Sequence, residues 1–197
     1  MQMSFSLADR ALDGMERMAV TKGNLRAAFV VDTGMCLGLT ALGGIRSDVH
    51  PLGAIAAFVG GLLLFSLIEY CFHRWLFHGP DQAMQRGHQQ HHVDPQGIGT
   101  LPFFLPPVFL LVLVALFSKL LPIGYALVAV GGIAGGYFAY GQCHDWIHRT
   151  RFAQPLARRW AASHHVHHHH PDRNFGVTSP LWDFVLGTRY QSKGDGA

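Results

Sequence analysis

Ten of the fourteen histidines of this chain fall into four short clusters. The clusters are His73 and His78; His88, His91 and His92; His144 and His148; and His165, His168 and His169. A neutral imidazole binds iron, zinc, copper or nickel without adding charge to the site. Because ten imidazoles exceed the four ligands of a structural zinc site, the pattern predicts a two-metal centre with roughly five ligands for each ion.

Helical spacing explains how a cluster can direct its rings to one side. Residues at positions i, i+3 and i+4 share a helix face, and His88, His91 and His92 follow that rule. His73 and His78 are five residues apart, so they require a helix end or a π-type turn to come together.

The last cluster lies in a histidine run where the spacing H-x-x-H-H occurs twice. One register uses His165, His168 and His169, and the other uses His164, His167 and His168. The residues alone leave both registers open.

Two carboxylates are candidates to orient the histidine rings by accepting a hydrogen bond from the ring nitrogen that does not bind metal. A metal-bound histidine usually donates its other N–H group to a carboxylate, a carbonyl or water. Glu69 lies one helical turn before His73, and Asp145 directly follows His144. We hypothesise that both carboxylates accept a hydrogen bond from a ring.

Four apolar stretches, at residues 25–45, 52–72, 103–121 and 122–143, are predicted to position the clusters at a membrane. Each is close to the ~20 residues that a membrane-spanning helix requires. Only 14% of the residues are charged, whereas soluble proteins average about 25%. Asp32 is expected to face other helices rather than lipid. The glycines at 131, 132, 135 and 136 indicate close helix packing.

Counting the predicted crossings places all four clusters on the same side of the membrane as the N-terminus. All Lys and Arg residues except Arg46 and Lys119 also map to that side, so the positive-inside rule predicts a cytoplasmic site and cytoplasmic termini. We expect one domain, with an interfacial segment at residues 1–24, a transmembrane core at 25–148 and a cytosolic cap at 149–197.

Other features narrow the class of protein. The net charge of +3 gives no case for binding nucleic acid. The three cysteines lie in apolar stretches, which favours reduced thiols over disulfides. Asn174, Phe175, Gly176, Trp182, Asp183 and Gly187 are interpreted as structural residues of a tail that closes over the metals.

These motifs resemble the fatty acid hydroxylase/sterol desaturase superfamily of membrane di-iron enzymes, over about residues 69–190. The family's H-x(3–4)-H, H-x-x-H-H and H-x(3)-H boxes resemble the clusters that begin at His73, His88 and His144. Its final H-x-x-H-H box and N-[FY]-G-V-T-S…W-D…G-T tail resemble His165–His169 and the segment from Asn174 to Thr188. The first two boxes are also similar to those of carotenoid hydroxylases, whereas the tail fits the acyl-lipid and sterol branch better.

The resemblance implies an all-α integral membrane protein, with four transmembrane helices under a cytosolic, histidine-rich helical cap. It implies that the ten clustered histidines bind two metals, most often iron, and it favours the first register of the last box. The expected activity is O2-dependent hydroxylation of a membrane lipid acyl chain. Zinc can replace ferrous iron in an isolated sample, since the Irving–Williams order favours it.

Two alternatives stay open. One is a lipid, sterol or carotenoid desaturase or hydroxylase of the same superfamily. The other is a non-catalytic membrane metal-binding protein, which is less favoured because transporters place their ligands near the membrane midplane.

Some family members carry a fused cytochrome b5 domain. We expect none in this chain, and therefore a separate electron donor that resembles cytochrome b5 or ferredoxin. The short chain favours a bacterial inner membrane over the endoplasmic reticulum.

Overall fold

The computed structural model describes residues 7–46, 48–79 and 83–192, and all regular structure in these ranges is helical. The helices are α1 (Leu7–Ala19), α2 (Lys22–Gly44), α3 (Pro51–Cys71), which continues as a π-helical turn (Phe72–Phe77), α4 (Ala83–Val93), α5 (Leu105–Phe117), α6 (Ile123–Arg149), α7 (Pro155–His169) and α8 (Leu181–Val185). The predicted all-α class is confirmed.

Three helical segments are long and apolar enough to cross a membrane: Lys22–Gly44, Pro51–Phe77 and Ile123–Arg149. In the most apolar window of the first two, only 17% and 11% of the residues are buried. Most of their side chains therefore face outwards, as expected for helices that contact lipid. The chain is an integral membrane protein with three candidate spans among its described residues.

The third predicted span, at residues 103–121, forms a shorter helix than expected. Helix α5 has 13 residues and is therefore about 20 Å long, against the ~30 Å of a hydrocarbon core. Pro106 and Pro107 restrict its start, because proline is tolerated only in the first helical turn. The chain then turns from Ser118 onwards. A fourth crossing stays a prediction.

The chain divides into two compact units, one of residues 1–61 and 97–135 and the other of residues 62–96 and 136–197. The first unit contains α1, α2, α5 and the N-terminal parts of α3 and α6. The second contains all four histidine clusters together with α4, α7 and α8. The single-domain division drawn from the sequence stays a prediction.

Helix α6 packs closely against α2 and α3 inside the first unit. A β-carbon on Gly132 would lie 2.2 Å from the carbonyl oxygen of Phe58, and one on Gly131 would lie 2.3 Å from Oγ1 of Thr40. Both distances are far below van der Waals contact, so only glycine fits. The predicted close packing is confirmed at these two positions. Asp32 is buried, as expected, and all three cysteines are free thiols.

Candidate metal centre

Nine histidines of the second unit form two groups. Each residue of a group contributes one ring nitrogen, and all of these nitrogens lie within 4.8 Å of one another. The first group is His73, His78, His88, His92 and His167, and the second group is His91, His148, His164 and His168. The sequence clusters therefore do not each form a site. They interleave into two sites that share the same helices.

The Nε2 atoms of the first group converge at a spacing that fits a metal ion. His88 Nε2 lies 3.0 Å from Nε2 of His73, His78 and His92, and His78 Nε2 lies 3.0 Å from that of His167. With a metal–nitrogen bond of about 2.1 Å, ligands at right angles are about 3.0 Å apart, whereas tetrahedral ligands are about 3.4 Å apart. The observed spacing fits five- or six-coordinate metal better than four-coordinate zinc.

The second group has the same spacing and gains a fifth ring. His164 Nε2 lies 3.0 Å from Nε2 of His148 and 3.1 Å from that of His168. The ring of His144 lies outside the 4.8 Å set, but its centroid is 4.3 Å from that of His91 and 4.8 Å from that of His164. The Nε2 atoms of His144 and His91 are buried and have no hydrogen-bond partner among the described residues. A buried polar atom without a partner is costly, and a metal ion would satisfy both.

Two backbone carbonyls fix the tautomers of ligand rings. His73 Nδ1 lies 2.5 Å from the carbonyl oxygen of Phe175, and His167 Nδ1 lies 2.7 Å from that of Arg173. Since a carbonyl oxygen can only accept, each Nδ1 must carry the proton. Each Nε2 then presents a lone pair to the first group, where lone pairs about 3 Å apart repel unless a cation lies between them. This donor set therefore fits a metal ion.

Burial keeps these rings neutral. It lowers the pKa of His78 to about 4 and the pKa values of His91 and His167 to about 3. Neighbouring imidazoles lower them further, His92 for His78 and His148 for His91. At neutral pH these rings are therefore uncharged, each has one nitrogen without a proton, and metal binding requires no loss of a proton from an imidazolium.

The π-helical turn and helix α4 explain how the first two boxes contribute to both groups. The predicted π-type turn is confirmed, since Phe72–Phe77 is π-helical and brings His73 and His78 into the same group. On α4, His88 and His92 are one turn apart and belong to the first group, whereas His91 points to the second.

In the last box, the structure groups the histidines of the register that the family resemblance did not favour. His164 and His167 are 1% and 0% exposed. His167 belongs to the first group, and His164 and His168 belong to the second group. His165 and His169 are exposed and lie outside both groups. The structure therefore does not bring these two residues to either group, and their assignment as ligands stays a prediction that this geometry does not support.

The reason is the orientation of helix α7. Its inward stripe runs through Trp160 and Ala161 to His164 and His167. The exposed stripe, three and four residues apart, is Arg158, Ala162, His165 and His169. Because an arginine begins the stripe that leads to His165 and a tryptophan begins the stripe that leads to His164, the sequence did contain a signal for the second register.

The two predicted carboxylates make other contacts. Glu69 is buried and accepts hydrogen bonds from the backbone N–H groups of Val177 and Thr178, at 2.6 and 3.0 Å, and from the Thr178 hydroxyl. Asp145 is exposed and pairs with Arg149 at 2.5 Å. Neither is the ring contact that our hypothesis requires. Carbonyl groups orient His73 and His167 instead, and a backbone carbonyl has no sequence signature.

The tail after α7 is held by buried polar residues, as interpreted from the sequence. Asp183 is 0% exposed and accepts from the backbone N–H groups of Phe175 and Gly176, at 2.8 and 2.9 Å. Asn174 has a left-handed backbone, with φ 53°, and its side-chain amide donates to the carbonyl of Ser163 on α7. These contacts hold the Phe175–Gly176 peptide group in place, and its carbonyl oxygen orients the His73 ring.

Comparison with known proteins agrees with this fold and site. The fatty acid hydroxylase family matches residues 58–188, and the chain therefore belongs to that family. The resemblance drawn from the histidine boxes is confirmed.

Three relatives show how far the similarity extends. The chain is 32% identical over 162 residues to the ceramide very long chain fatty acid hydroxylase SCS7 of Saccharomyces cerevisiae. This alignment covers 75% of this chain and 41% of the yeast protein. The chain is 34% identical over 149 residues to the dihydroceramide fatty acyl 2-hydroxylase FAH2 of Arabidopsis thaliana, with 70% and 61% covered. It is 32% identical over 158 residues to the fatty acid 2-hydroxylase of Rattus norvegicus, with 72% and 41% covered.

The solved structure of full-length scs7p, in which only the hydroxylase domain is visible, matches with a TM-score of 0.74 and 28% identity. The match covers 90% of this chain and 70% of that one. The chain thus spans about two fifths to three fifths of the length of the curated relatives it matches. Because these relatives come from a yeast, a plant and a mammal, the preference for a bacterial membrane gains no support.

Proposed function

We propose that this protein is an O2-dependent hydroxylase that acts on the acyl chain of a membrane lipid and uses two iron ions. The observation that carries the proposal is the pair of adjoining imidazole groups with Nε2 atoms about 3.0 Å apart. Two relatives are named for the acyl chain of a ceramide or dihydroceramide, and two are named 2-hydroxylases. We therefore propose a ceramide-type lipid as substrate and carbon 2 of its acyl chain as the position oxidised.

We propose ten histidine ligands in all. One ion is held by His73, His78, His88, His92 and His167, and the other by His91, His144, His148, His164 and His168. Bound iron supplies the activation of O2 that an unactivated C–H bond requires.

The protein's own residues fix these ligands and keep water away from them. The carbonyls of Phe175 and Arg173 hold the Nδ1 protons of His73 and His167, so each Nε2 is ready to bind. An apolar cluster that includes Ile147, Ala161 and Val177 packs among the helices that carry the second group. A dry site protects a strong oxidant from side reactions with solvent.

The membrane arrangement is also part of the proposal. We propose that all histidine clusters and both termini lie in the cytoplasm, since nearly all basic residues map to that side. We propose that electrons come from a separate donor, either cytochrome b5-like or ferredoxin-like. Accessibility of tags placed at each terminus tests the arrangement, and tags on opposite faces would contradict it.

Lipid mass spectrometry of cells that express the protein tests the activity. We expect an acyl chain that gains the mass of one oxygen atom, with fragmentation that places the hydroxyl group at carbon 2. His168→Ala should abolish the product, whereas His169→Ala, one residue further on the exposed stripe, should retain it.

Each alternative has its own signature in the same experiment. Loss of two hydrogens instead of gain of oxygen would identify a desaturase of the same family. Two bound metal ions without any lipid product, despite an added electron donor and O2, would contradict the enzyme proposal and favour a metal-binding protein.

A further inference from the structure

Helix α8 carries an exposed apolar face in the second unit. Leu181, Phe184, Val185 and Leu186 are 41%, 60%, 62% and 45% exposed. The opposite side of the same short helix carries Asp183, which is fully buried. Four large apolar side chains together on one surface require an apolar partner, since isolated exposed residues are common but contiguous patches are not.

The position of α8 relative to α3 indicates what that partner is. Trp182 Nε1 donates a hydrogen bond to Oγ of Ser66 on α3, at 2.9 Å. Ser66 lies within the candidate span Pro51–Phe77. It is six residues before Phe72, where the apolar stretch predicted from the sequence ends, which is about 9 Å at 1.5 Å per residue. The neighbouring Leu63 and Leu64 of α3 are also exposed, at 52% and 37%. The apolar face of α8 therefore continues the outward surface of a candidate membrane span.

A cationic group borders this face. The Arg189 guanidinium lies 4.6 Å from the centroid of the Phe184 ring. A long basic side chain beside apolar residues suits the boundary between acyl chains and phosphate headgroups, where its stem is buried and its charge stays solvated.

We propose that α8 and Leu186 are seated in the bilayer at the boundary between headgroups and acyl chains, and that lipid of the host membrane covers this face. The depth of Ser66, the continuity with α3 and the position of Arg189 all favour lipid over a second copy of the chain or another protein.

The contact of α8 with lipid also positions a candidate metal ligand, His73. This second inference rests on the proposed metal centre. Asp183, on the inner side of α8, holds the backbone N–H groups of Phe175 and Gly176. The Phe175 carbonyl in turn holds Nδ1 of His73. Lipid that holds α8 in place therefore stabilises the orientation of the His73 ring through Asp183 and the Phe175 backbone.

Photo-crosslinking tests the lipid contact directly. The full chain, with p-benzoylphenylalanine in place of Phe184, is incorporated into phosphatidylcholine nanodiscs and irradiated, and the products are identified by mass spectrometry. The control carries the same group in place of Ala162, on the exposed polar stripe of α7. We expect lipid adducts from position 184 and none above background from position 162. Adducts to a second copy, to another protein or to neither would overturn the proposal.

Metal content tests the second step. Phe184→Glu should release bound metal, as measured by elemental analysis of the protein in nanodiscs, whereas Phe184→Leu should retain it. Equal metal content in both variants would overturn the link to His73. Crosslinking requires no turnover, so the lipid adduct tests the membrane contact independently of the proposed hydroxylase activity.

Discussion

Replacement of Asp183 by asparagine should loosen the tail and the metal centre together. The Asp183 carboxylate is fully buried and accepts three hydrogen bonds, from the backbone N–H groups of Phe175 and Gly176 and from the Thr188 hydroxyl. In the Asp183→Asn variant an NH2 group faces at least one of these donors, which leaves it buried without an acceptor. Such a loss costs roughly 1–3 kcal/mol, and more when the lost acceptor is charged, so we expect a destabilisation of about 3 kcal/mol.

Two measurements separate this effect from a general loss of stability. The midpoint of thermal unfolding in detergent should fall, and the metal content of the folded fraction should fall as well, because the Phe175 carbonyl no longer holds His73 in place. Asp145→Asn is the matched control, since Asp145 is exposed and its ion pair with Arg149 contributes at most about 1 kcal/mol. If the two variants have equal midpoints and equal metal content, the argument that Asp183 positions His73 is wrong.

Three further predictions follow from the geometry. His164→Ala should lower the number of bound metal ions, whereas His165→Ala should leave it unchanged by elemental analysis; the reverse result would restore the first register. Gly132→Val should prevent the close approach to Phe58 and reduce the yield of folded protein by size-exclusion chromatography, whereas Gly141→Ala, with open space around it, should not. Cobalt-substituted protein should show the weak visible absorption of five- or six-coordinate ions, and intense tetrahedral bands would contradict the reasoning from the 3.0 Å spacing.

The sequence predicted the helices and some local features around the candidate site because both depend on local spacing. The five-residue separation of His73 and His78 required a helix end or a π-type turn, and the structure has the π-helical turn. The small residues at 131 and 132 indicated close packing, and both positions leave no room for a β-carbon. In each case residues close in the sequence determine the feature, so periodicity is sufficient to predict it.

Two other features depend on information that hydropathy and histidine spacing do not carry. The stretch at 103–121 has the composition of a span, but Pro106 and Pro107 fix where its helix can begin, and hydropathy does not register that restriction. The register of the last box depends on which face of α7 packs inwards. That orientation was indicated by Trp160, one turn before His164, and by Arg158, two turns before His165, rather than by the histidines themselves.

The partners of the rings could not be predicted, because they depend on long-range backbone contacts. Phe175 is 102 residues from His73 in the chain, and only the folded tail brings its carbonyl to the ring. Glu69 has the spacing expected of a ring partner, yet it holds the tail backbone at Val177 and Thr178. A carboxylate near a histidine in the sequence is therefore weak evidence that the two are in contact.

The interleaving of the boxes implies that the two proposed metal sites depend on each other. Helix α4 supplies His88 and His92 to one group and His91 to the other, and α7 divides His167 and His168 in the same way. The rings of His92 and His168, one from each group, stack with centroids 4.3 Å apart. A rotation of either helix that improves one group must displace ligands of the other, because a helix moves as a rigid element. The two ions should therefore bind as a pair, with a separation set by the α4 and α7 backbones rather than by any single ligand.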